Sequence, residues 1–284
     1  MSTTGEKYDE EDAYSSEELT KLLVNLRVPA IKTKEQAWDN FEVRLVGESK
    51  AAKKRSLNYL IYAIAASIAL LIGISSWFYY NKETKVWCPP AQMVTVTLPD
   101  GSQIVLNAVS TIHFNKRSWS KTRLVQLEGE AFFRVKKGRQ FEVATKTGKI
   151  MVLGTTFNVF SRDNRLEVYC ETGKVRVVSG NTILLSPGMK AQTMNGSKLQ
   201  IIKAEQKHEG LWQQGDFWFK NAPLTDVITE MERQFDVTIK YSNLGNRFYT
   251  GYFSRRSLIE ALSTVLCPMQ LKFKIEKKTI QIIK

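Results

Sequence analysis

LNYLIYAIAASIALLIGISSWFYY, residues Leu57–Tyr80, is a run of 24 residues without a charged side chain. At about 1.5 Å per residue, a helix of that length spans roughly 36 Å, enough to cross the hydrocarbon core of a bilayer with some tilt. A soluble reading needs a helix of equal length buried all round, which a chain of 284 residues seldom provides. The segment therefore reads as one membrane span, and every other feature has to be assigned to one side of it.

Lys50, Lys53, Lys54 and Arg55 precede the run, whereas Lys82 and Lys85 follow it with Glu83 between them. The heavier basic cluster lies on the N-terminal side, so the positive-inside rule places the N-terminus in the cytoplasm. Tyr59 and Tyr62 at one end, and Trp77, Phe78, Tyr79 and Tyr80 at the other, suit the two interfaces. A cleaved signal peptide fits poorly: the preceding polar region and the apolar run are both too long, and no A-x-A site follows. Ala65, Ala69 and Gly73 form a small-xxx-small face that could pack a partner helix, or help an intramembrane protease unwind the segment. The plainer reading is an ordinary anchor.

The net charge of +13 is uneven. Residues 1–56 hold 10 Lys+Arg and 11 Asp+Glu, and the rest of the chain holds 31 and 17. The positive excess thus lies on the side away from DNA, which argues against direct nucleic-acid binding and for acidic envelope partners or a solvated basic face. The 3 cysteines cannot all pair. Cys170 and Cys267 read as buried core thiols and Cys88 as a juxtamembrane thiol. Lys85-Val86-Trp87 lacks the small residues of a lipoprotein site.

Six segments follow from the patterning. Residues 1–56 are a helical tail, 57–80 the span, 81–92 a linker, 93–194 an all-β domain, 195–212 a second linker, and 213–284 a small α+β domain. In the tail, Ser15 with Glu18 makes a capping box before Leu19, Leu22, Leu23 and Leu26. Thr33 with Gln36 makes another before Trp38, Phe41 and Leu45. Two such helices bury too little surface to fold alone. Either a partner completes them by taking their apolar faces, or the tail is loosely ordered with Trp38 touching the membrane surface.

From Met93 the chain alternates in short strands. Val94, Val96 and Leu98 run into Pro99-Asp100-Gly101 and return through Ile104 and Leu106, a hairpin. Leu127 to Val135 alternates with period two. Leu166, Val168 and Cys170 pair by pattern with Val175 and Val177 across Thr172-Gly173. Such a series predicts a jelly-roll or sandwich-like fold. From Phe217 the period changes. Leu224, Val227, Ile228, Met231 and Phe235 share a helical face, Ser257 and Glu260 cap a second helix, and strands surround both, giving the order βαββαββ.

Chemistry is sparse. His113 and His208 have no ligand-spaced partners, and no nucleophile-elbow, phosphate-loop or dinucleotide signature occurs. The expectation is a protein without cofactor or metal and without conventional enzymatic activity. One site stands apart, Gly154-Thr155. A threonine hydroxyl can attack the preceding carbonyl where a glycine holds a strained backbone. The plainer alternative is a turn glycine whose Thr155 satisfies nearby backbone groups.

Four blocks in order, Leu98-Pro99-Asp100-Gly101-Ser102 with Leu106-Asn107-Ala108, Leu127 to Phe133, and Val152 to Val159, resemble the central domain of FecR-type anti-sigma factors, the ferric-citrate regulator family. The portion from Gly215-Asp216-Phe217 resembles the small secretin/TonB-type domain that ends such members. Lys34 to Trp38 resembles the cytoplasmic helix of members with an abbreviated tail. The resemblance implies a single-pass protein of the bacterial inner membrane, with its N-terminus in the cytoplasm and its C-terminus in the periplasm. Its tail would bind an extracytoplasmic-function (ECF) sigma factor through Leu19, Leu22, Leu23, Leu26, Trp38, Phe41 and Leu45. Its periplasmic part would sense the signalling domain of a TonB-dependent outer-membrane receptor. Signal transduction to transcription regulation would run through regulated proteolysis, including a site-2-type protease and self-cleavage at Gly154-Thr155. The tail is shorter than that of longer members, which leaves inhibition and co-activation both open. The competing reading is an anchored envelope-, glycan- or secretion-associated module with no sigma-factor role.

Overall fold

The computed structural model describes residues 16–25, 33–36, 38–39, 42, 57–80, 82–195, 197–204 and 208–283. Two helices come first, α1 (Ser16–Asn25) and α2 (Leu57–Tyr80). Residues 34–36 are also helical, and Thr33 Oγ1 accepts from Gln36 N at 3.4 Å. In α2 the stretch Tyr59–Trp77 has a mean hydropathy of 2.0 with none of it buried against protein, so it is long and apolar enough to cross a membrane. A helix is the single-segment structure that satisfies its own backbone in lipid. Its Ser67 hydroxyl is likewise satisfied internally, donating to Ile64 O at 2.8 Å.

Thirteen strands follow: β1 (Thr84–Cys88), β2 (Val94–Thr97), β3 (Gln103–Leu106), β4 (Ser110–Phe114), β5 (Arg123–Arg134), β6 (Phe141–Ala144), β7 (Lys149–Val152), β8 (Thr156–Arg162), β9 (Arg165–Thr172), β10 (Val175–Ser179), β11 (Asn181–Leu185), β12 (Lys190–Met194) and β13 (Gln200–Ile202). β5 organises them. Its first half pairs with β4 and β6, and its second half with β3 and β8. One strand therefore serves two sheets, β1-β4-β5-β6-β7-β10-β11 and β2-β3-β5-β8-β9-β12-β13. The crossing point is Gly129, at φ 110°. A Cβ there would stand 2.5 Å from Ser110 Oγ and 2.8 Å from Ser110 Cα, so no larger residue fits.

The two sheets face each other across one core. Ile112, Val125, Val143, Ile150 and Val177 come from the first sheet, and Ile104, Phe133, Phe157, Val159 and Val168 from the second. Phe133 and Phe157 are register partners and stack at 4.9 Å.

Several sequence expectations need correction. β9 and β10 do not form a hairpin. β9 pairs with β8 and β12, whereas β10 pairs with β7 and β11, so the Thr172-Gly173 turn carries the chain from one sheet to the other. The stretch 81–92 is not a plain linker, because β1 lies within it and pairs with β4. The stretch 195–212 holds β13, which pairs with β12. Cys88 is buried at the end of β1, and Cys267 is exposed where its helix gives way to a 3-10 turn at Pro268. Cys170 is buried.

The C-terminal portion runs β14 (Asp216–Pro223), α3 (Leu224–Phe235), β15 (Thr238–Lys240), β16 (Phe248–Ser254), α4 (Leu258–Leu266), β17 (Lys272–Glu276) and β18 (Thr279–Ile283). β14 and β16 form an antiparallel ribbon, bulged between Phe219 and Ala222. β18 pairs in parallel with β15 and antiparallel with β17. α3 buries Leu224, Val227, Ile228 and Met231, and α4 buries Ala261, Leu262, Val265 and Leu266. Ser257 Oγ caps α4 by accepting from Glu260 N at 3.3 Å.

Phe133 is fully buried and has a stacked partner, so Phe133→Ala is expected to cost about 3–5 kcal/mol. Denaturant unfolding of the portion C-terminal to α2 measures this. A loss below roughly 1 kcal/mol would show that the pair does not hold the sheets together.

Candidate functional site

β5 breaks its own alternation, because Ala131, Phe132 and Phe133 are buried in succession. Ala131 and Phe133 point into the sandwich. Glu130, Phe132 and Arg134 lie on the opposite face; Phe132 and Arg134 meet the C-terminal portion directly, and Glu130 does so through two asparagines. Phe132 is 2 % exposed and belongs to the second core, with Trp212, Phe217, Leu224 and Ile228. The Arg134 guanidinium lies 4.7 Å from the centre of the Phe132 ring and donates to Gln213 Oε1 at 2.9 Å.

Glu130 anchors a buried polar network. Its carboxylate accepts from Asn107 Nδ2 at 2.8 Å and from Asn158 Nδ2 at 2.9 Å. Each asparagine is held by a group of the C-terminal portion: Gln234 Nε2 donates to Asn107 Oδ1 at 2.8 Å, and Trp212 Nε1 to Asn158 Oδ1 at 3.2 Å. Gln234 Nε2 also donates to Glu230 Oε1 at 2.8 Å, and Arg233 closes on Glu230 Oε2. Burial pushes the Glu130 carboxyl above the ordinary carboxylate range, and the nearby Glu230 charge adds to this. The two asparagine bonds and Arg162 offset it in part.

A second cluster lies beside the first. Lys190 Nζ sits 2.9 Å from Glu167 Oε2 and 3.0 Å from Glu209 Oε1. Arg165 binds Glu167 and reaches Asp226 of α3 at 3.5 Å. Burial alone would raise Glu167, but Lys190 and Arg165 outweigh it and hold the carboxyl below its usual range. Burial would likewise lower Lys190, but Glu167 and Glu209 keep its ammonium raised. Between the clusters and the β14–β16 ribbon lies a cleft of about 550 Å³, where His208 stacks on Trp218 at 4.2 Å. Of these groups the sequence reading weighed only His208, as a metal ligand without partners, and joined none of the others into a site. The available signal was polar residues, Glu130 and Asn158, inside apolar runs.

At the other sequence candidate, Gly154 has φ 154°, a region open essentially to glycine. A Cβ at Gly154 would stand 2.6 Å from Lys137 Cα. Gly173 faces the Gly154-Thr155 peptide so closely that its own Cβ would lie 3.2 Å from Gly154 O. Thr155 is 5 % exposed, and its buried hydroxyl makes no hydrogen bond among the described residues. The expectation that Thr155 satisfies nearby backbone groups through this hydroxyl is therefore wrong, although its carbonyl accepts from Val135 N at 2.9 Å.

Of the tail candidates, Leu23 and Trp38 are both 65 % exposed. Leu19 and Leu22 lie in α1. Leu26, Phe41 and Leu45, like the Ser15 cap, lie outside the described residues. Among the described residues no three His, Cys, Asp or Glu side chains are grouped to hold a metal ion.

The Glu130 proton is held more tightly in the folded state than in the unfolded chain. Its stabilising contribution is thus complete below the ordinary carboxylate range and is lost as pH rises through its raised value. Glu130→Gln removes this loss while sacrificing one asparagine bond at every pH, a constant cost of about 1–3 kcal/mol. The stability of the variant relative to the parent is therefore expected to improve as pH rises across that window, measured by denaturant unfolding at a series of pH values. A difference independent of pH would contradict the assignment.

Two family models match the chain, FecR protein over residues 84–176 and FecR, C-terminal over residues 216–282, together more than half of its length. Two crystal structures, each of a candidate anti-sigma factor from Parabacteroides distasonis ATCC 8503, superpose on it. One has TM-score 0.67 and 26 % identity, covering 72 % of this chain and 99 % of that one. The other has TM-score 0.66 and 27 % identity, covering 71 % and 99 %. No curated protein is significantly similar. With both domains in order and the same fold as these structures, the chain belongs to the FecR family of anti-sigma regulators.

Proposed function

We propose that this chain is a single-pass anti-sigma regulator of the bacterial inner membrane whose cytoplasmic tail binds an ECF sigma factor. The observation that carries the reading is the combination of both FecR-family domains with one apolar helix and a short helical tail ahead of it. The tail presents Leu23 and Trp38 to solvent, and amphipathic helices of this kind gain stability by laying an apolar face in a partner's groove. In this reading the periplasmic part takes its signal from the signalling domain of a TonB-dependent outer-membrane receptor. Regulated proteolysis, including a site-2-type protease, then passes that signal through α2. Residues 1–56 are expected to capture the sigma factor encoded beside this gene, and Leu23→Asp with Trp38→Ala to reduce capture at least tenfold. A tail whose deletion leaves transcription unchanged would favour the anchored envelope-binding alternative.

Self-cleavage at Gly154-Thr155 is part of the same proposal. The Thr155 hydroxyl oxygen bonds to the Gly154 carbonyl carbon as the Gly154-Thr155 C–N bond breaks. The hydroxyl proton passes to the new amine, and water hydrolyses the resulting ester. The buried, unbonded hydroxyl and the glycine-restricted φ of residue 154 support it. On a gel, Thr155→Ala is expected to remain a single full-length chain, while the parent and Thr155→Ser give two fragments. Identical fragments from Thr155→Ala would remove the hydroxyl from the reaction.

A further inference from the structure

The end of the first sheet nearest α2 is basic. β1 begins at Thr84, opposite Phe114 at the end of β4, and Phe114 lies opposite Val125 near the start of β5. Arg123 lies opposite Phe141 at the start of β6, and Phe141 opposite Val152 at the end of β7. The segments 82–83, 115–122, 136–140 and 153–155 therefore leave the sheet at one end. Lys82, Lys116, Arg117, Lys121 and Arg139 are exposed there, together with Leu153 at 64 %. Of the acidic groups here, Asp100 is bound by Arg123, Glu83 lies 3.6 Å from His113 Nδ1 and is half exposed, and Glu171 is exposed at the end of β9, so the basic side chains outnumber them.

The loop at residues 115–122 contains no acidic residue and is held in shape. Asn115 Oδ1 accepts from Arg117 N at 2.9 Å and from Ser118 N at 3.1 Å. Trp119 is 4 % exposed and sits edge-on to Phe114 at 5.8 Å and to Phe141 at 5.9 Å. With Trp119 plugged into the core, Lys116, Arg117, Ser120 and Lys121 are turned outward. The loop also touches the end of α2, where Arg117 Nη1 donates to Tyr79 O at 2.8 Å and its guanidinium lies 3.6 Å from the centre of the Tyr79 ring.

We infer that this end of the β domain is a binding face for the headgroups of anionic phospholipids in the bilayer that α2 spans, an inference that rests on the spanning reading above. Three residues separate Tyr80 from Thr84, so four Cα–Cα steps tether this end within about 14 Å of the end of α2. Charges further apart than the Debye length, about 8 Å at physiological salt, are largely screened, so the attraction acts once this short tether lets the end of the sheet touch the headgroups. Arg and Lys near a charged membrane surface each add attraction, and Leu153 is the apolar side chain placed to enter the interface. The contact would hold the β domain, and the Gly154-Thr155 peptide next to Leu153, against the membrane surface.

The test uses the full-length chain with Ser120→Cys and Cys267→Ser, labelled at position 120 with a nitrobenzoxadiazole fluorophore. It is placed in vesicles of phosphatidylcholine alone or mixed with phosphatidylglycerol, each holding a phospholipid quencher spin-labelled at the headgroup. Quenching is expected to rise about fivefold in the anionic vesicles, the factor that one headgroup contact supplies. It should return to the neutral-lipid level in molar salt and in the combined variant Lys116→Glu, Arg117→Glu, Lys121→Glu. Equal quenching in the two lipids, or an increase that survives the charge reversal, overturns the inference. Extraction of the parent by alkaline carbonate would instead overturn the spanning reading, and so separates the two failures.

Discussion

The docking of the C-terminal portion onto the β domain depends on three alternating side chains of one strand. β5 crosses between sheets at Gly129, and immediately afterwards Glu130, Phe132 and Arg134 face away from the sandwich core. Arg134 does remain exposed, but a strand with a solvated outer face would carry three unattached side chains here. Instead, Phe132 completes the second hydrophobic core, Glu130 is tied through Asn107 and Asn158 to Gln234 and Trp212, and Arg134 reaches Gln213. An apolar plug beside a satisfied polar network gives both affinity and register, because a half-made network of buried polar groups costs more than an apolar seam. Lys190 between two carboxylates, and Arg165 reaching Asp226, fix the neighbouring part of the same seam.

This seam changes what the family resemblance implies. Two FecR-family domains joined by a free linker would report on a partner separately. Docked through β5, they share a core residue and a hydrogen-bond network, so a partner that moves one domain acts on the other. The seam also carries two carboxyls shifted in opposite directions, Glu130 upward and Glu167 downward. Its stability therefore has a lower and an upper pH limit set by different residues.

Local patterning made much of the fold readable. The Pro99-Asp100-Gly101 hairpin joins β2 to β3 in antiparallel register. The Leu224, Val227, Ile228 and Met231 stripe is the buried face of α3, and Ser257 caps α4. Readings failed where tertiary context overrides local pattern. Alternation from Leu127 to Val135 predicts one exposed face, but Glu130 and Phe132 on it are buried, leaving Glu128 and Arg134 exposed. Thr172-Gly173 has hairpin chemistry, yet the chain changes sheets there. Cys88 follows the apolar run and looks juxtamembrane by sequence, but β1 carries it directly into the core. At the candidate sites, Gly154-Thr155 was picked out because glycine tolerates unusual backbone and the next hydroxyl can attack its carbonyl, while the freedom of the Thr155 hydroxyl could not be seen in sequence. The seam was illegible because its partners Asn107 and Gln234 are 127 residues apart.

The claim that β5 makes one unit of both domains is tested most directly by native-state hydrogen exchange on the full-length chain. The account predicts that the slowest amides of α3 and of β5 open with the same free energy and respond together to denaturant. Exchange of α3 at a distinctly lower free energy, with β5 still protected, would show two independently opening domains and contradict it.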